Sequence, residues 1–419
     1  MDSVRDIALR AKAASAQMMT ISCEDRNKAL YAMAAALRDN VDEVIAANVS
    51  DMEAAKARNT SDSLLDRLML DEGRVFDMAD ALEDLAKLPD PVGRVLEDRI
   101  LYNGMQLRKV TVPLGVVAIV YEARPNVTAD ACGICLKSGN AAVLRGGSMA
   151  AKSCKAIADI LHEAAVASGM PKGCIEIIAT TDHAATDELM QLHGIVDVLI
   201  PRGGAGLIAH CVETAKVPVI ETGTGNCHVY VHASADLEMA HTIVMNAKCR
   251  RYGVCNAAET LLVDEDIAEA FLPGILSSLS EKGVLIHADE RASQIAAEAG
   301  VGCVLATETD WATEYLAPEI AVRVVDGVDT AIDHVNTYGT KHSEAIVAQD
   351  ACAIEAFQQR VDASSVYANA STAFTDGGQF GLGAEIGIST QKLHVRGPFA
   401  LEGLTSYKYL LNGEGQVRS

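Results

Sequence analysis

Aromatic side chains and positive charge are both scarce in this sequence of 419 residues. Aromatic residues make up 4% of the chain and apolar residues 49%, so small aliphatic side chains must fill the core. Acidic residues outnumber basic ones by 57 to 35, which gives a formal net charge of −22. A general nucleic-acid binder needs a basic face, so this charge argues against that class of protein. An anionic substrate remains compatible, because a local basic pocket can exist in an acidic protein.

Long apolar runs and a signal-type N-terminus are missing as well. No run of about 18 apolar residues is present to cross a membrane, and the first residues lack the apolar core of a secretory signal. The eleven cysteines show no spacing typical of a disulfide framework, which favours a reducing compartment. We therefore expect a cytoplasmic protein that binds neither membranes nor nucleic acids.

Residues 2 to about 90 are predicted to be helical, up to Pro89 and Pro91. Apolar residues recur there at helical intervals, as in Leu30, Met33, Leu37, Met78, Leu82 and Leu85. In the following segment, 99–112, the pair Asn103-Gly104 lies between two strand-like runs and predicts a β-hairpin. A strand-like run near 404–411 is a candidate partner for this hairpin.

From Gly115 onward, strand-like and helix-like runs alternate, which predicts an α/β unit with a parallel sheet. Strands are expected at 115–121, 141–145, 174–178, 196–200 and 217–220. Helices are expected at 127–138, 148–168, 185–193 and 204–214. Ligands of such sheets bind beyond the carboxyl ends of the strands. The loops there are rich in Gly or Pro and suit close approach to phosphates: 122–126, 145–148, 201–206 and 221–226.

A second alternating set predicts a second α/β domain, with strands near 260–263, 283–286, 302–305, 321–325, 344–348 and 364–367. No G-x-G-x-x-G follows the first strand of the chain, so the common dinucleotide-binding fingerprint is absent.

Cys255 lies in a Gly-containing connection between a helix predicted at 232–248 and the strand at 260–263. A side chain in such a connection can be held rigidly and still be reached by a substrate. Lys248, Arg250 and Arg251 are close in sequence, and positive charge lowers the pKa of a thiol toward the reactive thiolate. The local sequence leaves an alternative open, in which Cys255 is a small buried core residue.

Four motifs together carry a resemblance: VPLGVVAIVYEARPNVT at 112–128, KSGNAAVLRGG at 137–147, RYGVCN at 251–256 and HVRGPFALEGLT at 394–405. They resemble the aldehyde dehydrogenase superfamily and, within it, the reductases that act on glutamyl phosphate. The resemblance covers nearly the whole chain. It implies an α/β fold of two Rossmann-like domains plus a β-hairpin oligomerisation arm.

The resemblance also implies a division of the chain. The NADP(H)-binding domain would comprise 1–96, 113–232 and 368–398. The catalytic domain would comprise 233–367, and the oligomerisation arm 97–112 and 399–419. The arm implies a homo-oligomer, a dimer or a tetramer.

The implied activity is the NADPH-dependent reduction of L-glutamyl 5-phosphate to L-glutamate 5-semialdehyde with release of phosphate, the second step of proline synthesis from glutamate. Cys255 would attack the acyl phosphate and form a thioester. Asn126, with the backbone N–H of Cys255, is the candidate donor to the oxyanion; a plain turn residue is the alternative for Asn126. Glu221 precedes Cys255 at the spacing of the glutamate that activates water in hydrolytic members. Since a reductase must avoid hydrolysis of its thioester, we assign Glu221 instead to the cofactor pocket or to a proton transfer.

For the cofactor, the resemblance places Arg145 beside the adenosine ribose, where an arginine suits the 2′-phosphate of NADP(H). The other implied cofactor-binding residues are Gly146, Gly147, Ser148, Arg202, Gly203, Gly204, Glu221 and Glu314. Of these, Arg202–Gly204 would lie at the pyrophosphate, and Glu314 would hold the nicotinamide ribose.

The substrate carries a phosphate, an α-carboxylate and an α-ammonium group, so cationic side chains are needed. The candidates are Arg124, Lys137, Lys248, Arg250, Arg251 and Arg396, and the sequence leaves open which of them holds which group. No spacing typical of metal ligands is present, and we predict no metal. Because an acyl phosphate is unstable, a glutamate kinase is a possible partner.

Three other functions stay open. A dehydrogenase of the same fold could form a CoA thioester or hydrolyse its intermediate, and dependence on phosphate separates these from the reductase. A non-catalytic protein on this fold would lack hydride transfer altogether. A cysteine hydrolase would need a His–Asp pair for Cys255, which the sequence does not suggest.

Overall fold

The computed structural model describes residues 2–122 and 124–418. The helices are α1 (Val4–Met18), α2 (Cys23–Asp39), α3 (Val41–Ala57), α4 (Asp62–Leu68), α5 (Glu72–Lys87), α6 (Asn126–Lys137), α7 (Ala151–Ala167), α8 (His183–Met190), α9 (Ala205–Thr214), α10 (Leu237–Cys249), α11 (Glu265–Glu281), α12 (Glu290–Glu298), α13 (Val328–Tyr338) and α14 (Ala351–Arg360). The strands are β1 (Val95–Ile100), β2 (Gln106–Pro113), β3 (Val116–Tyr121), β4 (Ala141–Gly146), β5 (Ile175–Ile177), β6 (Val198–Arg202), β7 (Cys227–Val231), β8 (Ala258–Asp264), β9 (Leu285–Ala288), β10 (Val304–Leu305), β11 (Glu319–Val325), β12 (Ser343–Val347), β13 (Ser365–Ala368), β14 (Gly387–Ser389), β15 (Gly397–Phe399) and β16 (Thr405–Asn412).

The described residues form two compact units. Unit 1 takes those within Met1–Thr222, Gly381–Gly387 and Phe399–Ser419, and unit 2 takes Gly223–Phe380 and Ile388–Pro398. None of the described helices is both long and apolar enough to cross a membrane.

Unit 1 contains a parallel four-stranded sheet in the order β5-β4-β3-β6. Every residue of β3 and β4 is buried, as expected for a parallel sheet covered on both faces. The chain runs outward from β3 to β5 and then returns to place β6 on the other side of β3. Tyr121 therefore pairs with both Gly146 and Arg202, and the loops after these strands meet at the point where ligands of α/β sheets bind.

The first five helices confirm the helical prediction for the start of the chain. Side chains cap three of them: Ser3 accepts from the backbone N–H of Asp6, Ser22 from that of Asp25 and Asp71 from that of Arg74, which satisfies otherwise unpaired donors. The predicted apolar stripes are buried between the helices at Leu30, Met33, Leu37, Met78, Leu82 and Leu85.

The hairpin and the last strand form a separate antiparallel sheet in the order β1-β2-β16. The turn at Asn103-Gly104 joins β1 to β2, and Gly104 has a φ of 85°, which glycine adopts readily. Tyr407 pairs with Thr111 and Tyr409 with Lys109. Both the hairpin and its pairing with the C-terminal strand are thus confirmed.

Unit 2 contains a parallel seven-stranded sheet in the order β10-β9-β11-β8-β7-β12-β13. Helices α10, α11 and α12 bury their apolar faces against one side of it, around Leu261, Phe271, Leu272 and Ile286. Helices α13 and α14 pack on the other side, around Tyr230, Leu262, Ile332 and Phe357. The six strands predicted for this part of the chain are all present within about two residues.

Four sequence-based assignments are corrected. Strand β7 was missed, and the helix predicted from residue 232 begins only at Leu237. Strand β6 covers 198–202 rather than 196–200. The segment 217–220 forms only an isolated bridge between Leu199 and Val219.

The predicted domain boundary at residue 232 also differs from the structure. Strand β7 lies between β8 and β12 in the sheet of unit 2, so its hydrogen bonds place 223–232 in that unit. The segments 368–380 and 388–398 belong to unit 2 as well, whereas the three-stranded sheet belongs to unit 1.

Candidate active site

In unit 2, Cys255 is half-buried in the turn between α10 and β8. Asp236 caps the start of α10 by accepting from the backbone N–H of Met239 at 2.9 Å. The helix buries Ala240, Ile243, Val244 and Ala247, and it ends at Cys249. The chain then turns, with the N–H of Ala257 donating to the carbonyl of Val254 at 3.1 Å. The nucleophile candidate is thus presented by a short connection between two packed elements.

Cys255 and the residue after it are held by buried groups. The thiol of Cys227, in β7, donates to the carbonyl oxygen of Cys255 at 3.2 Å. The amide of Asn256 donates to the carbonyls of Thr375 at 3.0 Å and Ala373 at 3.3 Å. The hydroxyl of Thr372 donates to the carbonyl of Asn256 at 2.8 Å. Such partners fix the direction in which the Cys255 side chain leaves the backbone.

Lys248 does not act as a cation beside the thiol. Its ammonium lies 2.5 Å from a carboxylate oxygen of Glu259, and both side chains are fully buried. The other carboxylate oxygen of Glu259 accepts from the N–H of Leu316 at 3.2 Å. Burial raises the pKa of Glu259 to about 7, and Lys248 opposes that rise. The prediction that Lys248 supplies charge to Cys255 or to a phosphate is therefore wrong, because the charge is compensated inside unit 2.

Glu314 contacts the backbone of the segment before β7. Its carboxylate accepts from the N–H of Gly225 at 2.6 Å, and burial raises the pKa of Glu314. One carboxylate oxygen is thus engaged within unit 2. The assignment of Glu314 to the nicotinamide ribose stays a prediction that rests on its second oxygen.

The predicted substrate-binding cations have different surroundings. Arg250 and Arg251 are exposed just after α10, close to Cys255 in the chain. Arg396 pairs with Asp362 at 2.7 Å in unit 2. Arg124 is exposed in unit 1.

Lys137, at the end of α6, is fully buried in unit 1. Its ammonium donates to Asn27 at 2.7 Å and to the carbonyl of Ala86 at 3.1 Å, and burial lowers its pKa. These partners hold helices α2, α5 and α6 together. They contradict the prediction that Lys137 binds the substrate.

The predicted cofactor loops lie at the carboxyl edge of the unit 1 sheet. Arg145 is buried near the end of β4 and donates to the carbonyls of Thr181 at 3.0 Å and Asp182 at 3.4 Å. A β-carbon at Gly147 would lie 3.2 Å from the Cα of Glu122, so these two backbones approach closely. Ser148 is exposed.

The loop after β6 is joined to the loop after β3. The carboxylate of Glu122 accepts from the N–H of Gly204 at 3.0 Å, where α9 begins. The N–H of Glu122 donates to the carbonyl of Arg202 at 3.1 Å. Arg202 is half-buried and Gly203 is exposed. These contacts bring Arg202, Gly203 and Gly204 to the strand-order reversal, where ligands of α/β sheets bind. Their contact with a pyrophosphate stays a prediction.

Asn126 begins α6 and is exposed in unit 1. Its amide donates to the carboxylate of Asp130 at 3.5 Å, and burial raises the pKa of Asp130 to about 6, opposed by the charge of Arg202. Glu221 is half-buried near the end of the first segment of unit 1. The roles of Asn126 and Glu221 in the reaction stay predictions.

Sequence reasoning missed four residues of these arrangements: Glu122, Cys227, Glu259 and Asp362. Glu122 was in a quoted motif and carried a signal, since it directly follows a buried strand. Cys227 lies in β7, which was not predicted as a strand, and Glu259 lies in β8 just before the predicted strand 260–263. Asp362 is far in sequence from its cationic neighbours and meets them only in the folded structure.

Similarity to known proteins shows the family to which this chain belongs. Residues 2–297 match the model of the aldehyde dehydrogenase family. The chain is 55% identical to the gamma-glutamyl phosphate reductase of Moorella thermoacetica, over 98% of this chain and 97% of that protein. The chain belongs to the aldehyde dehydrogenase family.

Solved structures of the family agree on the fold. The crystal structure of gamma-glutamyl phosphate reductase from Thermotoga maritima matches with a TM-score of 0.97 and 44% identity over 100% of both chains. An acetylating aldehyde dehydrogenase from Geobacillus thermoglucosidasius matches with a TM-score of 0.70 over 99% of this chain and 97% of that one; at 24% identity it shows the fold alone. The predicted aldehyde dehydrogenase-like α/β fold is confirmed. Members of the family use nicotinamide cofactors and are commonly oligomeric.

Proposed function

We propose that this chain is a gamma-glutamyl phosphate reductase, which reduces L-glutamyl 5-phosphate to L-glutamate 5-semialdehyde with NADPH and releases phosphate. The observation that carries the proposal is the half-buried Cys255 in a chain that is 55% identical to a relative of that name over 98% of its length. The reaction is the second step of proline synthesis from glutamate.

In the proposed mechanism the thiolate of Cys255 attacks the acyl carbon of the substrate. A C–S bond forms, the bond to the phosphate oxygen breaks, and phosphate leaves with its electron pair. When bound, NADPH supplies the hydride that reduces the resulting thioester. The C–S bond of the thiohemiacetal then breaks, which releases the aldehyde and regenerates the thiolate.

Negative charge develops on the carbonyl oxygen twice along this path, so preorganised donors are needed. The backbone N–H of Cys255 is one donor in the proposal, since the carbonyls of Cys255 and Asn256 are both held by buried groups. The amide of Asn126 is the proposed second donor. Arg250 and Arg251 are the proposed partners of the leaving phosphate, because they are exposed and adjoin the nucleophile turn.

The residues of unit 1 fit an NADP(H) molecule. The Nε atom of Arg145 is buried without a hydrogen-bond partner among the described residues, which suits a guanidinium waiting for an anionic ligand. Gly146, Gly147 and Ser148 would lie along the adenosine ribose, and Arg202, Gly203 and Gly204 at the pyrophosphate. Glu221 would serve the cofactor pocket rather than activate water. Outside unit 1, Glu314 of unit 2 is the proposed partner of the nicotinamide ribose.

The proposal includes a homo-oligomer in the cytoplasm. Support for association comes from the three-stranded sheet, which exposes several large apolar or aromatic side chains: Leu96, Ile100, Tyr407 and Leu411. Apolar surface of this kind favours contact with another subunit. A glutamate kinase that delivers the unstable acyl phosphate is a further proposed partner. A pull-down from cell extract that recovered no such kinase would count against it.

The test of function is the reverse reaction, because the acyl phosphate is too unstable to supply. Glutamate 5-semialdehyde, NADP⁺ and phosphate are mixed with the protein, and NADPH absorbance is followed. Cys255→Ala should abolish the signal, whereas Cys352→Ala, at an exposed cysteine of α14, should leave it unchanged. NADPH formation without phosphate would indicate a hydrolytic oxidiser, and formation that requires CoA in its place an acylating dehydrogenase. Activity that survives in Cys255→Ala would remove Cys255 from the mechanism.

A further inference from the structure

Three cationic side chains of unit 2 converge on one carboxylate. Arg396 lies 2.7 Å and Lys392 2.8 Å from the oxygens of Asp362, and Lys341 lies 3.6 Å away. The hydrogen bonds from Lys392 and Arg396 lower the pKa of Asp362 to about 2, so the carboxylate is charged at neutral pH. Three positive charges against one negative charge leave a local excess of positive charge in a chain whose net charge is −22.

This cation cluster, Lys341, Asp362, Lys392 and Arg396, lies at the same edge of the sheet as Cys255. Lys341 comes shortly before β12 and Asp362 shortly before β13, just as Cys255 comes shortly before β8. All these strands are parallel, in the order β8-β7-β12-β13. Adjacent strands lie about 4.8 Å apart, so two or three strand spacings separate the starts of β12 and β13 from that of β8, roughly 10–15 Å.

A chain of contacts joins the cluster to the nucleophile turn. The hydroxyl of Thr340, next to Lys341, donates to the carbonyl of Thr224 at 2.7 Å and accepts from the N–H of Asn226 at 3.0 Å. Between them lies Gly225, where a β-carbon would lie 1.5 Å from the carbonyl oxygen of Cys255. The cluster and the nucleophile are therefore parts of one packed edge.

The backbone of the cluster is itself constrained. Lys341 has a φ of 63° and His394, between Lys392 and Arg396, has a φ of 74°. The left-handed region is unfavourable for residues with a β-carbon, and such conformations gather at functional sites where the surroundings enforce them. At Lys341, the carbonyl accepts from the N–H of Ser364 at 2.8 Å. This bond links the segments that carry Lys341 and Asp362.

We propose that Lys341, Lys392 and Arg396 bind the α-carboxylate of the glutamyl substrate, and that Asp362 orients these cations and accepts from the α-ammonium. The inference rests on the proposed function and names its specificity site. A cluster with several cations and one carboxylate complements the two charged groups of an α-amino acid. A phosphate would gain from the cations alone and would be repelled by Asp362.

Distance favours the carboxylate as well. Phosphate leaves from the carbon that the thiolate attacks, so it departs beside Cys255. The α-carboxylate lies at the other end of the substrate, roughly 5 Å from that carbon in an extended chain. The long side chains of lysine and arginine can cover the remaining distance along the edge, and the fork of Arg396 can hold a carboxylate through two hydrogen bonds.

The experiment measures KM for glutamate 5-semialdehyde and for phosphate separately, in Lys392→Gln, Arg396→Gln and Arg396→Lys. The matched control is Arg291→Gln, which removes an exposed cation of α12 that pairs with Glu269. Each Gln variant should raise KM for the semialdehyde by about tenfold or more, as expected for a lost hydrogen bond between charged groups. Phosphate KM and kcat should stay within about twofold of wild type, Arg396→Lys should recover part of the loss, and the control should match wild type.

Butanal, which lacks both charged groups, provides the internal check on folding. The variants should oxidise butanal in the presence of phosphate with the kcat/KM of wild type. A raised KM for phosphate with an unchanged KM for the semialdehyde would assign the cluster to phosphate and overturn the inference. If KM for phosphate and KM for the semialdehyde were both unchanged, the cluster would be solvated surface charge without a role in binding, and the inference would be overturned.

The site can also be tested without chemistry, by calorimetric titration with L-glutamate, which carries the same α groups. Binding to wild type that is lost in Arg396→Gln supports the inference. Equal binding in both, or binding in neither, overturns it. A wild-type protein without phosphate-dependent activity would contradict the proposed function instead, and the glutamate titration would then decide the site alone.

Discussion

The backbone of Gly225 lies directly against the carbonyl group of Cys255. A β-carbon at residue 225 would lie 1.5 Å from that carbonyl oxygen and 2.7 Å from the Cα of Cys255. No side chain can be accommodated there, so the glycine is required for close approach rather than for a special φ. The N–H of Gly225 meanwhile donates to Glu314 at 2.6 Å, which prevents the segment from moving away.

Gly225→Ala should therefore abolish activity by displacing the nucleophile turn. We expect kcat to fall by about a hundredfold or more, since a displacement of about 1 Å in a catalytic geometry can cost that much. The assay is the phosphate-dependent formation of NADPH. Gly274→Ala is the control, because Gly274 lies inside α11 with open space around it. That variant should keep full activity and gain roughly 0.5–1 kcal/mol of stability. A Gly225→Ala enzyme with normal kcat would show that the turn is not rigidly placed.

Substitutions of Lys248 and Glu259, which form a buried ion pair, should have strongly non-additive effects on the free energy of unfolding. Lys248→Met leaves a carboxylate buried without its counterion, and we expect the free energy of unfolding to fall by about 3 kcal/mol or more. Lys248→Met combined with Glu259→Leu removes both charges and should be more stable than either single variant. Urea unfolding can be followed by the fluorescence of Trp311, the single tryptophan, which is buried in unit 2. Additive effects of the two substitutions would contradict the coupling.

The elements of this fold were predictable where local sequence decides them. Strand β3 is a continuous apolar run and β4 is apolar up to Arg145. Asn103-Gly104 determines the hairpin by its turn chemistry. Strand β7 was missed because His228 and Tyr230 make it look polar. In the structure His228 is buried and donates to Glu344 at 2.9 Å, 116 residues later in the chain. Its polarity is compensated by a partner that only the sheet brings near.

In the candidate site, too, some residues could be found from local sequence and others depend on partners distant in the chain. Cys255 could be found from its motif, because the residues that present it are contiguous. Lys137 and Lys248 looked like available cations, yet burial and tertiary partners remove both from solvent. Conversely, Asp362 lay in an unremarkable stretch, and its three cationic neighbours come from two other segments. A sequence shows the charge of a side chain but not its distant partner.

Arg145 should determine the preference for NADPH over NADH. We expect Arg145→Leu to raise KM for NADPH by about tenfold or more and to leave KM for NADH within about twofold, because only NADPH carries the 2′-phosphate. Arg145→Lys keeps the charge without the planar fork, so its KM for NADPH should lie between those of wild type and Arg145→Leu. Because Arg145 also donates to the carbonyl of Thr181, equal losses with both cofactors would indicate that its role is to hold that loop.

His342 should make the stability of unit 2 depend on pH. The side chain is fully buried, with Ser343 at 2.8 Å and the thiol of Cys227 at 3.8 Å from Nδ1, and burial lowers its pKa to about 4. An unfolded histidine has a pKa of about 6.5. Below that pH the unfolded chain binds a proton that the folded protein takes up only near pH 4. The contribution of His342 to the free energy of unfolding should therefore decrease as the pH falls through this window, by up to about 1.4 kcal/mol per pH unit.

The urea midpoint of the Trp311 transition, measured between pH 7 and pH 4, tests this expectation. His342→Gln should flatten the dependence, because glutamine does not titrate. His183→Gln, which replaces an exposed histidine at the start of α8 in unit 1, should leave the dependence as in wild type. Burial also lowers the pKa of His334, beside Arg323, to about 2, which adds to the loss of stability at low pH, whereas the raised pKa of Glu259 opposes that loss. The test is therefore the difference in slope between wild type and His342→Gln. An unchanged slope in that variant would mean that other groups determine the acid sensitivity of unit 2.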